Sequence, residues 1–105
     1  MADFMKLLAQ AQEMQGKFQT LQADLQKESV TASAGGGMVT VEANGQGTVR
    51  SIKIDPSVVN AADVEMLEDL VLVAISEAQK KAQEIAQREM GKLTGGMSLP
   101  FKLPF

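Results

Sequence analysis

Four carboxylates, Asp63, Glu65, Glu68 and Asp69, fall within one short stretch of the chain and are the densest set of side chains that could do acid–base work. A catalytic carboxylate pair needs environments that push the two groups apart in proton affinity, together with a pocket and donors for a developing charge. No base, aromatic wall or oxyanion donor accompanies these residues, and as a divalent-metal set they are equally unsupported. At the start of a helix they complement its positive end, so they read as a solvated acidic face. The chain contains no His and no Cys, which removes the usual neutral-pH base and the commonest transition-metal ligands. Gly35-Gly36-Gly37 and Asn44-Gly45-Gln46-Gly47 could suggest a phosphate cradle. No Gly-Lys-Ser/Thr follows, and neither run leads from a strand into a helix, so both read as hairpin turns. The expectation is a protein that is not an enzyme, with no cofactor, metal or small-molecule substrate.

The basic residues carry the remaining chemistry. Lys81, Arg88 and Lys92 recur at i, i+7 and i+11, which places them on one narrow helical stripe. Lys80 borders that stripe, with Glu84 and Glu89 nearby. Lys6 and Lys17 are also eleven apart and share a face of an earlier helix. One reading is a solvated surface with pairs such as Glu84–Arg88. The other is phosphate contact by two lysine- and arginine-bearing arms. The net charge of −3 gives no global attraction to nucleic acid, so binding must be local. The chain has no Trp or Tyr, and Phe4 and Phe18 are committed to an apolar seam, so stacking on single-stranded bases is disfavoured.

The elements that position these side chains follow from periodicity. Asp3 to Glu28 reads as one helix, free of Pro and rich in Gln, Ala, Lys, Glu and Leu. Phe4, Leu7, Ala11, Met14, Phe18, Leu21 and Leu25 alternate in spacings of three and four, a heptad seam. Such a rod is roughly 39 Å long and needs a partner along most of its length, which predicts a homodimer. From Ser29 the pattern changes to β-branched alternation: Val30–Ala34, Val39–Ala43 and Thr48–Ile54, separated by the glycine turns. This predicts a three-stranded antiparallel meander. Val49 is out of phase with Ile52 and Ile54, which predicts either a bulge or a strand buried on both faces.

Asp55-Pro56 predicts a short helical turn through Val59. Asn60, three residues before Asp63, predicts the cap of a second long helix. Its seam is Val64, Leu67, Val71, Ala74, Ala78, Ala82 and Ile85, widened in the first half by Leu70, Val73 and Ile75, which predicts burial there on more than one side. Gly91, or at the latest Thr94-Gly95-Gly96, ends it. Residues 1–96 form a single domain, and Met97 to Phe105, with two Pro, one Lys and little pattern, read as a flexible tail. The longest apolar run, Leu70 to Ile75, is far below the roughly 20 residues that span a bilayer, and the opening residues lack a signal design. A cytoplasmic protein with no membrane partner is expected.

Several stretches together resemble the YbaB/EbfC family of bacterial nucleoid-associated proteins. These are Met5-Lys6-Leu7-Leu8-Ala9-Gln10-Ala11-Gln12-Glu13-Met14, Gly35-Gly36-Gly37-Met38-Val39, Asn44-Gly45-Gln46-Gly47 and Ile52-Lys53-Ile54-Asp55-Pro56. Asp63-Val64-Glu65-Met66-Leu67-Glu68-Asp69-Leu70-Val71 and Leu93-Thr94-Gly95-Gly96-Met97 complete the set. The resemblance covers nearly the whole chain in order. It implies an α+β fold of long helix, three-stranded meander and long helix, with helical arms projecting from a dimeric body. It further implies binding of duplex DNA with low sequence preference, and a role in nucleoid organisation or gene regulation. Carried onto this sequence, the DNA contacts fall on Lys6, Lys17, Lys80, Lys81, Arg88 and Lys92. A second reading is a protein-interaction or chaperone-like adaptor, since two-helix arms on a β body also resemble prefoldin-type subunits.

Overall fold

The structure, a computed structural model, describes residues 2–94. Helix α1 spans Ala2–Lys27, strands β1, β2 and β3 span Ser29–Ala34, Val39–Asn44 and Val49–Ile54, and helix α2 spans Val64–Thr94. The expected helix–meander–helix order is therefore the observed one. The reading of 97–105 as a tail lies outside the described residues.

The sheet order is β1-β2-β3, with both pairs antiparallel. Gly35, Gly36 and Gly37 all have positive φ, which lets the first hairpin close without Cβ strain. The bulge expected around Val49 is present. Val41 pairs with Ile52 and Glu42 with Ser51, but Ala43 pairs with Val49, so Arg50 is the extra residue. The bulge returns Val49 to the face that carries Ile52 and Ile54. The alternative of a strand buried on both faces does not hold, because every residue from Arg50 to Ile54 is exposed.

Helix α2 lies across β1 and β2. Ala74, Ala78 and Ala82 meet Val30, Ala32, Val39, Val41 and Ala43 in one buried cluster. The interface is built from small side chains, so helix and sheet approach closely and the core is thin. Between β3 and α2, the Asp55 carboxylate accepts the Ser57 N–H at 2.9 Å and Pro56 opens a short 3₁₀ turn, as expected. These bonds favour the ionised carboxylate and lower the Asp55 pKa below its ordinary 3.8. The cap of α2 is Asp63 and not Asn60. Asp63 Oδ1 accepts the Met66 N–H at 3.2 Å, whereas Asn60 Oδ1 accepts the Ala62 N–H at 2.9 Å and shapes the preceding turn. Gly91 does not stop the helix, which continues to Thr94.

The expected two-sided burial of the first half of α2 is not found within one chain. Leu70 and Ile75 are half-buried, but Leu72 is 64% and Val73 51% exposed. Residue periodicity explains the difference: only one sector of about 140° faces a single sheet, and Leu72 and Val73 lie outside it. The chain measures 72 × 24 × 16 Å, with a radius of gyration of 19.7 Å. A compact domain of this length has about 13 Å.

Candidate nucleic-acid interface

Among the described residues, helix α1 is anchored at one end only. Of its seam, Leu25 is buried, Leu21, Phe18 and Met14 are half-buried, and Ala11, Leu7 and Phe4 are exposed. The anchor is the β2–β3 turn. Gly45 N–H donates to Leu25 O at 2.7 Å, and a Cβ on Gly45 would lie 2.7 Å from that same oxygen, so only glycine allows the approach. Gln46 Nε2 donates to Gln22 Oε1 at 2.8 Å, and Gln79 Nε2 donates to Gly47 O at 3.1 Å. Asn44 Oδ1 accepts the Gln46 and Thr48 N–H groups at 2.9 and 3.0 Å, which holds the turn itself. The Arg50 guanidinium, displaced by the bulge, donates to Gln26 O. The turn thus sits between the two helices and sets how they diverge.

The last turn of α2 reaches α1 about half way along. Glu89, Lys92 and Leu93 line a groove with Glu13, Gly16, Lys17, Thr20, Leu21 and Asp24. Beyond that level α1 stands alone among the described residues.

The six basic residues occupy different surroundings on these helices. Lys6 is exposed on the free-standing part of α1, and Lys80 and Arg88 are exposed on α2, none with an ion pair among the described residues. Lys17 pairs with Glu13 at 3.6 Å and Lys92 with Glu89 at 3.3 Å. Both pairs are exposed and each is worth about 0–1 kcal/mol, so they restrain the ammonium groups weakly. Lys81 differs, since its Nζ donates to Thr31 O at 2.8 Å and binds α2 to the β1 edge. The structure therefore brings Lys17 and Lys92 to one groove, beside the carboxylates of Glu13, Asp24 and Glu89. The Glu84–Arg88 pair expected from spacing is not formed.

Sequence reading missed the set that orients the helices: Gln22, Gly45, Gln46, Gln79 and Arg50. Its one visible signal was the bulge, which displaces Arg50 from the ladder. No spacing rule announces a glutamine that bonds across twenty or thirty residues.

Among the described residues, no group of His, Cys, Asp or Glu is disposed to hold a metal, and no helix is long and apolar enough to cross a membrane. The described side chains present charge and apolar surface for binding, on a helix–meander–helix scaffold. The pattern of the YbaB/EbfC DNA-binding family matches residues 1–97, and the chain belongs to that family. A nucleoid-associated protein of Gemmatimonas aurantiaca is 52% identical over 103 residues, covering 98% of this chain and 99% of its own. The nucleoid-associated protein DP1429 of Desulfotalea psychrophila is 49% identical, covering 93% of this chain and 92% of its own. The crystal structure of the uncharacterized protein HP0035 from Helicobacter pylori superposes with a TM-score of 0.80 at 26% identity, over 88% of this chain and 97% of that one. The family is a DNA-binding one and not an enzymatic one.

Proposed function

We propose that this chain is a nucleoid-associated protein that binds duplex DNA as a homodimer, with low sequence preference, through phosphate contacts from its helices. The observation that carries the reading is family membership across residues 1–97. Lys6, Lys80 and Arg88 supply the readiest contacts because no carboxylate among the described residues holds them. Lys17 and Lys92 join once their exposed pairs open, and Lys81 contributes its charge from the β1 edge. The chain has no Trp or Tyr, so recognition rests on the backbone charge of the duplex.

The homodimer has its own support. Helix α2 covers β1 and β2 but leaves Ile52 and Ile54 of β3 42% and 38% exposed on the same sheet face. Helix periodicity puts Val64, Leu72 and Ile75 on the flank of α2 opposite Lys81, which reaches the β1 edge; that flank looks toward β3. A second copy seated there would complete the half-covered core.

Electrophoretic retardation of a random duplex across a salt series tests the DNA reading. Complexes should form at low salt and dissociate steeply as salt rises. Absence of any complex at low salt, with defined proteins recovered from nuclease-treated extract, would favour the adaptor reading instead.

A further inference from the structure

The outer half of the α1 seam has no cover among the described residues. Phe4 is 65%, Leu7 65% and Leu8 47% exposed, Ala11 is exposed, and the row runs on into a groove lined by Met14 and Phe18. Helix α2 does not supply the cover. Its last turn faces the Glu13, Thr20 and Asp24 side of α1, well around the cylinder from Phe4, Ala11 and Phe18. The surface proposed above for a second copy lies on β3 and the sheet-bound half of α2, and so does not include this seam.

The residues that border the seam decide what fits it. With Phe4, Leu7, Ala11 and Met14 at the inward heptad positions, Asp3, Gln10, Lys17 and Asp24 run along one border, and Leu8, Gln15 and Gln22 along the other. Charges at such border positions set the orientation and register in which two helices pair. In a parallel, in-register pair the two borders meet each other. Asp3 then falls beside Leu8 and Lys17 beside Gln22, so no charge is matched. In an antiparallel pair each border meets its own copy. An overlap that sets Phe4 against Leu21 brings Asp3 against Asp24 at both ends, like charge against like. Sliding the helices apart by seven residues brings Asp3 against Lys17 at both ends. In that register Phe4 lies opposite Met14 and Leu7 opposite Ala11, so each layer joins a bulky side chain to a flexible or small one. On the second border Leu8 meets Leu8 of the other copy across the two-fold axis. Lys17 pairs with Glu13 at 3.6 Å on an exposed surface, and an ammonium has donors for a further carboxylate.

We propose that the outer half of α1 is a self-association site, where the stretch from Asp3 to Lys17 pairs antiparallel with the same stretch of a second copy. The overlap is roughly 21 Å long and hides well under the ~1,200 Å² of a stable interface. The contact is therefore weak: it is open in dilute solution and closes where molecules are crowded, joining them tip to tip. It uses neither the β3 face nor a nucleic acid, so it stands or falls separately from both of those readings.

The chain has no native cysteine, so single cysteines report the register in the full-length protein. In a concentrated mixture of Leu7→Cys and Ala11→Cys variants, mild oxidation should link unlike chains at least about tenfold faster than in a mixture of Leu7→Cys and Glu13→Cys, because Glu13 lies around the helix from the seam. Equal rates in the two mixtures, or no links in either, would mean that no second copy occupies the seam and would overturn the proposal. A predominance of Leu7→Cys chains linked to one another would mean parallel pairing and would overturn it too. Sedimentation velocity from about 10 μM to about 1 mM gives an independent readout. The mass of the natural protein should rise with concentration above its dilute value. Asp3→Lys or Lys17→Asp alone should raise the concentration required at least about fivefold, and the two together should restore it. A mass that does not rise, or a double variant as impaired as either single one, would exclude this contact.

Discussion

The ammonium group of Lys81 donates to the main-chain oxygen of Thr31 at 2.8 Å, joining α2 to the outer strand of the sheet. A residue that spacing puts on the basic stripe of α2 thereby also braces the body. Lys81→Ala should lower unfolding stability by about 1 kcal/mol, at the modest end for a bond to a charged group because the site is exposed. Urea denaturation measures it, and no change in midpoint would show that the brace contributes nothing in solution.

Charge reversal separates this brace from the freer cations. Lys80→Glu with Arg88→Glu should weaken duplex binding at least about tenfold and flatten the salt dependence by about 0.9 in log–log slope for each phosphate that is no longer neutralised. Fluorescence anisotropy between low and moderate salt reads both quantities, with the urea midpoint unchanged as the control. An unaltered slope would remove these two side chains from the DNA-binding surface.

How much of this was open to sequence reading differs from feature to feature. The seam of α1, the Ala74–Ala78–Ala82 stripe and the alternation of Val39, Val41 and Ala43 are periodic, and period alone placed them. The bulge was visible because Val49 breaks phase with Ile52. The cap of α2 was misassigned because Asn60 and Asp63 are both good cap residues, and only the turn geometry decides between them. The basic residues were legible as a stripe, but not the fate of each side chain. That Lys81 turns to Thr31 while Arg88 stays free depends on where the sheet ends beneath α2, which no local pattern records.

The turn between β2 and β3 should tolerate no side chain at Gly45. Gly45→Ala brings a methyl against Leu25 O, whose distance to the added carbon is 2.7 Å, and should destabilise the fold by about 1–3 kcal/mol. Gly36→Ala, where a Cβ would meet nothing within 4 Å, should show only the strain of its positive φ. If both variants are destabilised equally, the close approach to α1 is not the cause.

The Asp55 carboxylate is more acidic in the folded chain than its ordinary 3.8. Its ionised form therefore contributes stability that is fully present above the unfolded value and is lost as pH falls through the lower folded value. The stability difference between the natural chain and Asp55→Ala should be constant above about pH 5 and should shrink below it. A difference that grows on acidification would contradict the cap.

Disruption of the uncovered β3 face should give monomers. Ile54→Asp, at a residue 38% exposed in the single chain, should sediment at the 11.2 kDa chain mass where the natural protein sediments at twice that. Identical masses for the two would exclude this face as the place where copies meet.

The hold of the β2–β3 turn on α1 is confined to the stretch from Gln22 to Gln26, and this makes the helix a lever with its fulcrum at Gly45. Lys6 stands about 29 Å out along the rod from Leu25. A rotation of about 10° at the root would sweep it through about 5 Å, comparable to the spacing of neighbouring phosphates along a strand. Small substitutions at Gln22, Gln46 or Arg50 would therefore re-aim the tip of the helix by a distance of that order.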